Sequence, residues 1–185
     1  MPARSIRRIR LNRNPYALQF RRPGKARVEV YTEEPSNRRY RGAISFALRN
    51  AAFDARNAFA PVQPNLNRQL FDVDLAGPVV RGRSGFFLNA EHYRNNETAV
   101  VNARTLEGPF LANVATPERR SRLIGRYDDR SELHTLNAHY SYVDDREENR
   151  GAGRLHLPEQ GTPSAQTVHR VQFSEIGRAS CRERV

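Results

Sequence analysis

The chain has 185 residues, a formal charge of +11 and a mean hydropathy of −0.77, a composition too polar to fill a large conventional core. No apolar run approaches the roughly twenty residues of a membrane-spanning helix, and the basic start MPARSIRRIRLN lacks the apolar stretch of a secretory signal. Lys25 is the only lysine and the arginines are spread from Arg4 to Arg184, which argues against the clustered stripe of a nucleic-acid-binding surface.

Two short alternating segments, IRRIRLN and ARVEVYT, lie between Ile6 and Thr32, with Pro23-Gly24 as a turn between them. Glu33 to Asn37 breaks the pattern and reads as a linker. Tyr40 to Arg49 is the cleanest predicted strand: Tyr40, Gly42, Ile44, Phe46 and Leu48 share one face, and Arg41, Ala43, Ser45, Ala47 and Arg49 the other. A long connection follows, holding Pro61 and Pro64, with AAFDARNAF as a short helical turn.

Leu70 to Tyr93 reads as an antiparallel hairpin. Phe71, Val73 and Leu75 alternate with Asp72 and Asp74; Phe86, Leu88 and Ala90 alternate with Phe87, Asn89, Glu91 and Tyr93. Gly82-Arg83-Ser84-Gly85 lies in the turn and lacks the spacing of a G-x-S-x-G nucleophile elbow. A second long connection is expected over residues 95–118, then strands at Arg122 to Asp128 and Leu133 to Tyr142 around a tight turn at Asp129-Arg130-Ser131. A third long connection is expected from Val143 to Gln166, and a sixth strand at Thr167 to Ser174.

Ile176 to Val185, IGRASCRERV, resembles the translation of a short-read sequencing adapter and is set aside, with the expectation that the natural reading frame is cut short. Its loss changes the charge to +11 − 3 + 1 = +9 and removes Cys181, the only cysteine, so the remainder offers no disulfide, cysteine zinc site or catalytic thiol.

After Tyr40 the connections run long, short, long, short, long. A transmembrane β-barrel has this rhythm, with short turns on one side of the membrane and long loops on the other. The fold expected is therefore all-β: part of an antiparallel up-and-down barrel of about six strands, whose outward positions meet lipid. Tyr40, Phe86, Tyr93, Tyr127, Tyr140 and Tyr142 suit interfacial girdles. The rival reading is a soluble β-sheet binding module with a basic surface. The two separate on whether a second layer covers Ile44, Phe46, Leu48, Phe71, Val73 and Leu75.

RRPGKARVEVYTEE, RGAISFALRN, FDARNAFAP, DLAGPVV and FFLNAEHYR, in this order, resemble TonB-dependent outer-membrane receptors of the branch with a carboxypeptidase-regulatory-like domain. The resemblance implies the end of a plug domain over residues 1–35 and the first barrel strands over 36–175. The chain departs from the family at the plug's end, where Pro23-Gly24-Lys25-Ala26 and Thr32-Glu33 stand in place of further glycines and a Thr-Lys. The implied function is substrate uptake across the outer membrane. Its implied partners are membrane lipid, a TonB energy-coupling complex reached through parts outside this chain, and a small-molecule, oligosaccharide or peptide substrate. Neither a cofactor nor an enzymatic activity is implied.

On this reading Arg41, Arg49, Asp72, Asp74, Asn89 and Glu91 face the barrel lumen, whereas in a soluble sheet they would line the wet face. Asp72 and Asp74 have no obvious nucleophile or histidine partner for acid–base work. The acidic run Asp144, Asp145, Glu147 and Glu148 lacks calcium-loop spacing and reads as a solvated loop. His134 and His139 are five apart, hence on opposite faces of a strand. Asn96-Glu97-Thr98 matches a glycosylation sequon without meaning in a bacterial barrel.

Overall fold

The computed structural model of the chain describes residues 6–12, 27–55, 63 and 65–177. Strands β1 (Ile6–Asn12) and β2 (Arg27–Thr32) pair antiparallel as a two-stranded sheet of their own. These are the two alternating segments; the Pro23-Gly24 turn between them lies outside the described residues. The remaining strands form one open sheet: β3 (Arg41–Asn50), β4 (Leu66–Val80), β5 (Ser84–Thr105), β6 (Gly108–Ala115), β7 (Glu118–Arg130), β8 (His134–Arg150) and β9 (Thr162–Gly177). Its order is β3-β4-β5-β7-β8-β9, with β6 added to the outer half of β5, and every pair is antiparallel. Among the described residues there is no α-helix, only single 3₁₀ turns at Ala51–Phe53 and Pro158–Gln160. The first turn falls where AAFDARNAF predicts one. β9 takes in Ile176 and Gly177 from the tail; Cys181 lies outside the described residues.

Register fixes which side chains share a face, since directly opposed residues point the same way. Ile44 opposes Val73, Val73 opposes Ala90, Ala90 opposes Leu123, and Leu123 opposes Tyr142. On that face Ile44 (73% exposed), Phe46 (64%), Phe71 (45%) and Leu75 (42%) remain uncovered, and Val73 is half-buried. A soluble sandwich would spend its hydrophobic driving force by packing a second layer here. The apolar face instead points outward.

The apolar belt also slides along the sheet. On β3 it reaches Leu48, yet the register sets Leu48 level with Arg94, Arg119 and Arg146 on β5, β7 and β8. On those strands the belt sits nearer the opposite end, at Phe86 to Ala90, Leu123 to Tyr127, and Leu136 to Tyr142. A plane that crosses hydrogen-bonded rows obliquely is what tilted barrel strands require.

Short turns gather at one end of the sheet: Arg81 to Arg83 between β4 and β5, with Gly82 at φ 78°, and Ser131 to Leu133 between β7 and β8. The ladder of β4 shifts register between Pro78 and Val80, where proline has no N–H to give. Tyr40 stacks beside this point. Its ring lies over Gly77, where a Cβ would come within 2.0 Å of it. Its hydroxyl donates to the Pro78 carbonyl at 3.0 Å, and its ring centre is 6.4 Å from that of Phe86. Glycine leaves the gap that the aromatic ring fills.

At the other end two of the expected long connections are largely strand. β5 runs for 22 residues, far beyond the roughly 9–11 of a membrane crossing. It changes partner from β7 at Asn95 to β6 at Thr98. The segment 95–118 is thus an ordered arm, closed by Gly108 at φ 125°. β8 and β9 likewise extend through most of Val143 to Gln166. Val100 and Val101 are adjacent, as are Phe110 and Leu111, and residues 144–148 are all charged, so neither stretch keeps a period of two and hydropathy hid these strands.

Candidate functional site: the polar face and the loop-end cleft

All six residues singled out from the sequence stand on the face opposite the apolar belt, because Asp72 opposes Ser45 and Glu91, and Asp74 opposes Ala43 and Asn89. They do not converge on one point. Arg41 is near the short turns, where its Nη2 meets the Glu33 carboxylate at 2.7 Å and the Glu34 carbonyl at 3.2 Å. Arg49 is at the opposite end, paired with Asp54 at 2.9 Å. Between them Asp72 and Asn89 are buried, and Asn89 donates through Nδ2 to the Val73 carbonyl at 3.1 Å.

Glu91 begins a charge ladder that crosses three strands. It lies 3.7 Å from Arg122, which is 3.8 Å from Asp145; Arg120 meets Asp145 at 3.2 Å and Glu118 at 2.6 Å. Arg120, Arg122 and Arg126 share one face of β7 with Ile124 among them, and the strand expected from Arg122 leaves Arg120 out. Tyr93 belongs to this face and not to an aromatic girdle, and the Arg120 guanidinium sits 5.6 Å from its ring centre. A cation over the negative face of an aromatic ring is attractive.

The acidic run is also placed differently from its reading as a loop. Asp144 and Asp145 are consecutive residues of β8, so their side chains diverge: Asp145 to the charge ladder, Asp144 outward to Arg146 and Thr167. His139 shares the polar face with Arg126, whereas His134 is at the turn beside Ser131.

Near the short turns the polar face carries the buried apolar cluster Ala76, Phe87 and Ile124. The stretch leaving β2 lies over this region. Arg126 Nη1 donates to the Thr32 hydroxyl at 2.5 Å and the Glu33 carbonyl at 2.9 Å, and Glu33 lines a recess with Arg41, Asp74 and Phe87. The chain then crosses the short-turn end, where Gly82 N–H donates to the Asn37 carbonyl at 2.8 Å and Ser36 bridges Phe86. Nothing in the local pattern of Arg126 marks it as the holder of a segment 93 residues away.

At the loop end a cleft of about 680 Å³ lies among the β3–β4 connection, the β5 arm and the β8–β9 connection. Arg49, Gln63, Glu97, Arg154 and His156 are among its polar lining. The β8–β9 connection is docked: Arg154 N–H donates to the Val100 carbonyl at 2.9 Å and Asn102 N–H to the Arg154 carbonyl at 2.6 Å, over a fully buried Val101.

Residues 37–116 match the family model described as "Outer membrane beta barrel domain". With the uncovered apolar face, this decides the setting. The chain is part of an outer-membrane β-barrel protein. No curated protein and no solved structure matches it. The match spans β3 to β5 and the β6 arm, and β7 to β9 extend the same antiparallel meander. The barrel resides in the outer membrane, with the apolar belt as its lipid-facing surface.

Proposed function

We propose that this barrel is a TonB-dependent receptor that takes up a substrate through the outer membrane, with β1 and β2 as the end of an occluding plug. The observation that carries the reading is the hold of Arg126 and Arg41 on Thr32 and Glu33. A plain porin wall has no need of a preceding unit tied to its polar side. On this reading that side is the lumen, and the ladder from Glu91 to Arg120 solvates what passes.

The long connections then face outward, and the loop-end cleft is where substrate first binds. Arg154, and Arg49 from its pairing with Asp54 at 2.9 Å, offer guanidinium donors to a polar ligand. The energy-coupling partner acts through parts outside this chain. Growth on single nutrient classes (iron chelates, oligosaccharides, peptides), with the receptor or TonB deleted, tests the reading. The expected result is one class whose uptake needs both proteins. Uptake that needs the barrel but not TonB would make it a passive pore.

A further inference from the structure

One outward row of the wall carries three arginines side by side. Arg94 on β5 directly opposes Arg119 on β7, which directly opposes Arg146 on β8. Like charges in opposed positions destabilise a sheet unless something neutralises them. Arg146 is shared with Asp144 at 3.3 Å. Arg94 and Arg119 are exposed; the charge of Asp144 is felt by Arg119 as well as by Arg146, so one carboxylate serves two guanidinium groups. Of the other acids nearby, Glu118 is taken by Arg120 at 2.6 Å, and Glu148 stands at the rim of the shallow recess that the three arginines line with Asn96 and Pro117.

The position of the row matters as much as its charge. Moving from the belt toward the loop end, the outward rows read Ala90, Leu123, Tyr142 and His169; then His92, Ser121, Asp144 and Thr167; then the arginines. Apolar residues give way to amphipathic ones, then to small polar ones, then to guanidinium groups. That sequence matches the passage from hydrocarbon through the interface to the headgroups. A soluble anion has no reason to be met on the lipid side of the wall, whereas a headgroup phosphate lies there by default.

We propose that Arg94, Arg119 and Arg146 form a binding site for the phosphate of a membrane lipid headgroup at the loop end of the barrel wall. Planar guanidinium groups suit phosphate because each presents paired donors to two oxygens. The lipid neutralises the row and thereby ties β5, β7 and β8 together. The proposal rests on the outer-membrane barrel and its lipid-facing belt, and not on TonB-coupled uptake.

The whole barrel protein that contains this chain, in zwitterionic detergent micelles, is titrated with a short-chain phosphatidic acid, and in parallel with inorganic phosphate. The phosphatidic acid is expected to bind and inorganic phosphate at the same concentration to bind far more weakly. R94Q and R119Q are each expected to weaken lipid binding roughly fivefold, from the worth of one basic residue at an anionic surface. R104Q, which removes the same charge from the β5–β6 arm, should leave binding unchanged, and E148Q should tighten it. Folding of each variant is checked by its strand signal in circular dichroism. E148Q keeps the test open should an arginine variant not fold, since unchanged binding in it counts against the site. Equal binding by R94Q, R119Q and the parent overturns the proposal, as does equal affinity for inorganic phosphate. Failure of uptake to depend on TonB would leave it standing.

Discussion

The guanidinium of Arg126 holds the main-chain carbonyl of Glu33 at 2.9 Å, joining the fourth strand of the wall to the segment that leaves β2. Because the same Nη1 also reaches the Thr32 hydroxyl, R126A strips two bonds from one donor. Charge-assisted bonds of this kind contribute about 1.5 kcal/mol at the lower, half-exposed end of their range. R126A is expected to raise amide hydrogen exchange over Arg27–Thr32 by about tenfold, a loss of that size in opening free energy. Exchange in β4 and β5 should be unchanged.

Gly77 and Tyr40 form a second long-range pair. G77A places a methyl group into the Tyr40 ring, so the ring must leave and its bond to Pro78 is lost. Overpacking of this sort costs about 1–3 kcal/mol. Urea unfolding in detergent should show that loss, and G77A/Y40A should be less damaged than the sum of the single variants.

At the loop end Gly153, at φ 117°, would bring a Cβ within 2.9 Å of the Ala99 methyl. G153A is therefore expected to free the β8–β9 connection from the β5 arm. The readout is proteolysis between Gly151 and Gly161, faster in the variant, while the wall strands keep their protection.

Arg83 ties the short-turn end together. Its Nε donates to the Asp129 carboxylate at 3.0 Å, and the Arg130 amide donates to the Arg83 carbonyl at 3.2 Å. R83A is expected to accelerate hydrogen exchange of the Arg130 amide, while amides in the middle of β5 and β7 keep their protection.

Much of the wall was legible in the sequence because lipid and water impose a strict period of two on it. Ile44, Phe46, Phe71, Val73 and Leu88 declare their face, and Arg41, Asp72, Asn89 and Glu91 the other. The same logic failed where the apolar period breaks. Thr98 to Thr105 pair with β6 although Val100 and Val101 stand side by side, and Asp144 to Glu147 pair with β9 although all four are charged; main-chain bonds there leave no hydropathy signal. The charge ladder was half visible: Glu91 could be assigned a face, but Arg122 and Asp145 join it only through a register that single-strand patterns do not give. The hold of Arg126 on Glu33 depends on how two separate sheets meet, which no local spacing encodes.

β5 belongs to the wall through Asn95 and to the outer arm from Thr98, without a break in the strand. A slip of one residue in the membrane would thus be transmitted whole to the arm and turn every arm side chain over. Val101 would then leave its place beneath Arg154, and the cleft would lose a side. The outer binding surface is in this sense a gauge of correct assembly within the bilayer: only a wall threaded in the right register presents it.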